Sequence, residues 1–120
     1  MADRVLVIGW DNPVRGMEAR AIETFNEAMG LLGRMQQDGR IEGFDVMLLS
    51  PNSDMDGLIC VKGTADQIAA MRMDEEFMRN TVNATLCVEN IRPIDGYTNE
   101  GVAAQMAMYQ DALMMVPQRA

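Results

Sequence analysis

Residues Arg4 to Trp10, RVLVIGW, form a short and nearly continuous apolar run rich in β-branched side chains, the pattern of a strand buried on both faces. Asp11-Asn12-Pro13 ends it. From about Arg15 to Asp38 apolar residues return at helical spacing, with Ile22, Phe25, Met29 and Leu32 on one stripe and Ala21, Ala28 and Met35 beside it. Gly39 is well placed to end this helix. Ile41 to Leu49 and Gly57 to Lys62 read as the second and third strands. Thr64 or Ala65 starts a short helix holding Ile68 and Met71, and Asp74 offers a second cap for a turn over Glu75-Glu76-Phe77. Ala84 to Ile94 reads as the fourth strand, and Thr98 or Asn99 caps a last helix with Val102, Met106, Tyr109 and Leu113 on one stripe.

The order strand, helix, strand, strand, helix, strand, then an extra helix, is the split βαβ plan of a ferredoxin-like α+β domain: an antiparallel sheet with helices gathered on one face. Alternation along each strand divides the side chains into two sets. One is uniformly apolar: Val5 and Val7; Phe44, Val46 and Leu48; Ile59 and Val61; Leu86 and Val88. This set is expected to face the helices. The other mixes apolar and ionisable groups: Arg4, Leu6, Ile8 and Trp10; Asp45, Met47 and Leu49; Leu58, Cys60 and Lys62; Cys87 and Glu89. It is too apolar for a face left open to water. A second copy of the same chain is the simplest cover, since two-fold dimers are the commonest soluble assemblies. Arg4, Asp45, Lys62 and Glu89 then need partners or water in that interface, because unpaired buried charge is costly.

Composition narrows the function. At 120 residues the chain fits a single domain over 1–120, and 48% hydrophobic with 23% charged residues is ordinary for a globular chain. Ten Lys plus Arg against eighteen Asp plus Glu leave a net charge of −8, which disfavours nucleic acid. No apolar run is long enough to span a bilayer, and Met1-Ala2-Asp3-Arg4 leads into a strand-like segment instead of a signal peptide's apolar region, so a cytoplasmic protein without a membrane partner is expected. Cys60 and Cys87 form no CxxC pair and read as reduced, buried thiols. The Asn83-Ala84-Thr85 glycosylation pattern matters only for a secreted chain.

Asn52-Ser53-Asp54-Met55-Asp56-Gly57 has the opening spacing of a calcium loop, yet the twelfth position, where a bidentate Glu should sit, is Gly63, and strands replace the flanking helices. It reads as a polar hairpin loop. With no histidine in the chain, a general base near neutral pH falls to a carboxylate or lysine of shifted pKa, and Asp45, Lys62 and Glu89 are the candidates; an interfacial ion pair or a solvated edge position is the favoured account of the same residues. Trp10 and Tyr97 are candidate pocket walls, each with one polar tip, although packing alone also explains them, and Tyr109 reads as core. The thirteen methionines are spread along the chain and read as flexible core filling. Lacking a Walker loop, GxGxxG, HExxH and Cys-based metal spacing, the chain is expected to carry no cofactor and no metal.

Over roughly residues 3–97, the strand and helix order, the doubly apolar sheet and the length resemble the dimeric α+β barrel superfamily of ferredoxin-like proteins. Within it, Leu31 to Ile41 (LLGRMQQDGRI) and Asp74-Glu75-Glu76-Phe77 are similar to the YCII-related branch. That superfamily includes cofactor-free monooxygenases, isomerases and dehalogenase-like enzymes, so the resemblance implies a small apolar ligand pocket between sheet and helices and no single reaction. YCII-related proteins are associated with a His and Asp pair; Asp74 is the matching aspartate, and its histidine partner is missing here. Two functional classes follow. One is a homodimer binding an apolar or aromatic small molecule, with catalysis open; the other is a structural or assembly module whose mixed face is a filled interface without a pocket.

Overall fold

The structure, a computed structural model, describes residues 2–117. Its elements run β1 (Arg4–Trp10), α1 (Glu18–Gln37), β2 (Gly43–Leu48), β3 (Gly57–Gly63), α2 (Ala65–Met73), α3 (Glu75–Cys87), β4 (Arg92–Tyr97) and α4 (Glu100–Met114). The four strands form one antiparallel sheet in the order β2-β3-β1-β4, with the central pair in the register Leu6 opposite Val61 and Ile8 opposite Ile59. That order and the interleaved connections make the fold ferredoxin-like α+β.

Local chemistry sets the helix ends. Gly39, at φ 75°, closes α1: its N–H donates to Gln36 O and that of Arg40 to Met35 O, the paired bonds of a left-handed helix stop. Thr64 caps α2 in a reciprocal box with Gln67. Asp74 accepts from the Phe77 N–H at 2.9 Å and caps α3. The core lies between the sheet and α1, α2 and α3, where Leu6, Val61, Leu31, Leu32, Met35, Ile41 and Met71 are buried. Between β2 and β3 the polar loop is built on Asn52, whose side-chain oxygen accepts from the N–H groups of Asp54 and Met55 and whose amide donates to Ser50 O and Met55 O.

Four expectations are corrected. First, Ala84–Ile94 is no strand: α3 continues to Cys87, and β4 begins only at Arg92. The Asp74 cap commits the segment to helix, and Phe77, Ala84 and Cys87 then fall on one buried face. Only a short remnant of pairing survives, with Val14 N–H donating to Cys87 O and Glu89 and Asp11–Asn12 exchanging backbone bonds. Glu89 is therefore an exposed loop residue outside the sheet. Second, the two faces of β1 are exchanged. Leu6, Ile8 and Trp10 face the helices, whereas Val5 and Val7 stand on the open face. Both parities of a central strand are apolar, so alternation alone could not orient it; pairing with β3 does. Third, Arg4 shares this helix-side parity at the sheet end, its guanidinium 4.7 Å from the Tyr97 ring centroid, and does not belong to the open face. Fourth, Tyr109 is not core: it is 59% exposed, and α4 buries only Gly101.

Candidate functional site

A cavity of about 410 Å³ separates the sheet from helices α1 and α3. Ile8 and Trp10 from β1, Leu48 from β2 and Ile59 from β3 line its sheet side. The helix side carries Thr24, Phe25 and Ala28 from α1 with Phe77, Asn80, Ala84 and Cys87 from α3. Its volume falls in the range of small-molecule pockets, about 300–1,000 Å³, and its walls are mainly apolar with a few polar groups, the usual composition of such pockets.

Trp10 owes its place to a glycine. Gly57 lies opposite it in the β1–β3 register, and a side chain there would sit 2.9 Å from Trp10 Cζ2 and 2.8 Å from the Met47 carbonyl oxygen. The bare backbone lets the indole lie across β3 and meet Phe25 at 5.9 Å between ring centroids, tilted by 56°. On the helix side, Thr24 is 7% exposed and holds α1 to α3: Asn80 Nδ2 donates to Thr24 O at 3.1 Å, and Cys87 Sγ lies 3.7 Å from Thr24 Oγ1 and 3.3 Å from Asn83 O.

Among the described residues, the ionisable ones that line the cavity are Cys87 and two acidic residues. Glu18, in the first turn of α1, accepts from the Gly16 N–H at 2.9 Å. Asp56 precedes Gly57, its N–H donates to Trp10 O at 2.9 Å, and no hydrogen bond or ion pair to its carboxylate is found among the described residues. Among the described residues no Lys or Arg lines the cavity. A shallower hollow of about 320 Å³ adjoins it, sharing Trp10, Leu48 and Asp56 and adding Asn12, Pro51 and Asn52.

Of the candidates marked in the sequence, only Trp10 lines the cavity. Asp45 and Lys62 stand on the opposite face of the sheet as a 2.8 Å ion pair. The Asp45 carboxylate holds the Lys62 ammonium above its ordinary pKa by hydrogen bonding and charge, and desolvation raises the neighbouring Cys60 thiol. Arg4 and Tyr97 stack at the edge, and Glu89 lies in the loop after α3. Beside that loop, Arg92 donates to Asp11 at 2.9 Å, and this hydrogen bond lowers the Asp11 pKa. The residues that the sequence did not mark are Thr24, Phe25, Asp56, Asn80 and Cys87. Thr24 carried a readable signal, a polar side chain in register with Leu31 and Met35 on the buried stripe of α1. Asp56 carried none beyond its loop.

Among the described residues no helix is long and apolar enough to cross a membrane. Comparison with protein-family models and with curated protein sequences finds no match, so the YCII-related resemblance rests on its short segments alone. Solved structures do match. A dimeric protein of unknown function and ferredoxin-like fold from Bacteroides fragilis superposes with a TM-score of 0.59 at 11% identity, over 79% of this chain and 96% of its own. A conserved protein of unknown function from Bacteroides thetaiotaomicron gives 0.59 at 16% identity, over 79% and 95%. SnoaB, a cofactor-independent oxygenase from Streptomyces nogalater, gives 0.51 at 14% identity, over 82% and 93%. At these identities the likeness is one of fold: the chain has the ferredoxin-like α+β architecture.

Proposed function

We propose that the protein is a homodimer that binds an apolar or aromatic small molecule in the cavity between sheet and helices. The cavity itself carries this reading. About 410 Å³ of space beside Trp10, Phe25, Ile8 and Ile59 leaves apolar walls without packing partners, a cost that an apolar occupant removes. The test uses Nile red, a neutral dye whose emission rises in apolar surroundings. Wild type should bind it saturably, and Ala28→Phe, which fills the space from α1, should weaken binding at least about tenfold while keeping the fold, since a filled cavity need not cost stability. Absent saturation, or equal binding by the filled variant, sinks the reading.

Dimerisation rests on the other side of the sheet. Val5, Val7, Met47, Leu58, Cys60 and Ile94 share the face of the sheet opposite the core, where Met47 and Ile94 are exposed. The Bacteroides fragilis protein of the same fold is dimeric, and a second copy is the cover proposed here. Lys62 already has the Asp45 carboxylate as its partner, which reduces the desolvation cost of bringing that face out of water. The assembly-module reading draws on α4, where Val102, Met106, Met108 and Tyr109 are exposed. It predicts the same dimer and no saturable dye site, so one titration separates the two.

A further inference from the structure

From the wall of the cavity we infer that its ligand is an apolar amine held as its ammonium ion, the apolar body inside and the cationic head at the Asp56 carboxylate. The inference rests on the binding reading above and adds the charge of the ligand.

Three observations support it. Among the described residues Glu18 and Asp56 are the charged ones that line the cavity, and no Lys or Arg is in its lining. An anionic ligand would therefore enter without a counter-charge, which an apolar site penalises heavily. Of the two carboxylates, Glu18 already accepts from the Gly16 N–H, whereas Asp56 has no side-chain partner among the described residues. Asp56 also lines both the cavity and the adjoining hollow, at the junction a ligand entering through that hollow would pass. Finally, Trp10 lines the same two spaces, and an indole face attracts a cation electrostatically. The chain's net charge of −8 acts in the same direction at long range.

The ion pair needs a ligand proton on nitrogen, so its strength follows the ligand's own ammonium form and is lost as that amine deprotonates. A neutral alcohol of the same shape keeps the apolar contacts and a single hydrogen bond to Asp56. Charge-assisted bonds are roughly twice as strong as neutral ones, which places the difference at about tenfold in affinity.

The test uses three probes with one adamantyl body: 1-adamantanemethylamine, 1-adamantanemethanol and 1-adamantanecarboxylate, titrated at pH 7 against the fluorescence of the single tryptophan, Trp10. The ammonium should bind about tenfold tighter than the alcohol, and the carboxylate more weakly than either. In Asp56→Asn the ratio of ammonium to alcohol affinity should fall toward one, while Asp54→Asn, a loop carboxylate that lines neither space, should keep the wild-type ratio. Equal affinities across the three probes, tightest binding of the carboxylate, or an unchanged ratio in Asp56→Asn overturn the inference and leave the cavity as a binding site. No response to any probe, together with no saturable Nile red site, overturns the binding reading and this inference with it.

Discussion

Gly101 leaves no room for a side chain: a Cβ there would sit 2.2 Å from the Asp3 carbonyl oxygen. This contact, with Asn99 Nδ2 donating to Ala2 O at 2.7 Å, fastens the first turn of α4 to the start of β1. Because the clash is with backbone, Gly101→Ala should cost about 1–3 kcal/mol, read as a lower urea midpoint at unchanged slope; a midpoint equal to wild type would show that the turn yields freely. Gly57 makes the same kind of close approach under Trp10. Gly57 was visible in the sequence as the end of a polar loop and Gly101 was not marked; the Trp10 ring over the one and the Asp3 carbonyl over the other come from far along the chain, so neither role was legible there. Trp10, conspicuous as an aromatic at the end of a strand, was marked in the sequence and lines the cavity. Asp56 was not, because a loop carboxylate looks alike whether it faces water or a cavity.

Among the elements, α3 and β4 show where reading by pattern fails. The segment from Ala84 to Val88 is short, apolar and partly β-branched, and a run of that length fits a strand and a buried helix equally. What decides is the Asp74 cap at its N-terminal end, reinforced by Glu75 and Glu76 in the first turn. The cap was recognised in the sequence; the length of helix it launches was not. Asp74→Ala should lower stability by about 1 kcal/mol, with Asp74→Asn retaining most of it, as measured by chemical denaturation. Equal losses in both variants would point to the Arg40 ion pair, whose atoms lie 3.5 Å apart, instead of the cap. By contrast β1, α1, β2, β3 and α2 lie close to where the apolar pattern puts them, because each carries either a clear period or a strong stop such as Gly39.

Taken whole, the molecule has two apolar surfaces on opposite sides of one sheet: the cavity under α1 and α3, and the open face of Val5, Val7, Met47, Leu58 and Ile94. The doubly apolar sheet was the most informative feature of the sequence, and the fold follows from it and from the order of elements. Which β1 side chains belong to which surface was not available from alternation, and it decides that Trp10 faces the cavity and Val7 the open face. Val7 pairs with Cys60 on one side and Ile94 on the other, at the middle of the open face. Val7→Lys should therefore give a monomer by sedimentation while leaving Nile red binding in place, since the side chain points away from the cavity; a dimer that survives the substitution would move the interface elsewhere. The most direct test of the account is native mass spectrometry of the wild-type chain with 1-adamantanemethylamine in excess. The account predicts a dimer that takes up to two ligand masses, one for each cavity. A monomer at micromolar concentration, or a dimer that stays at twice the chain mass at every ligand concentration, would contradict it.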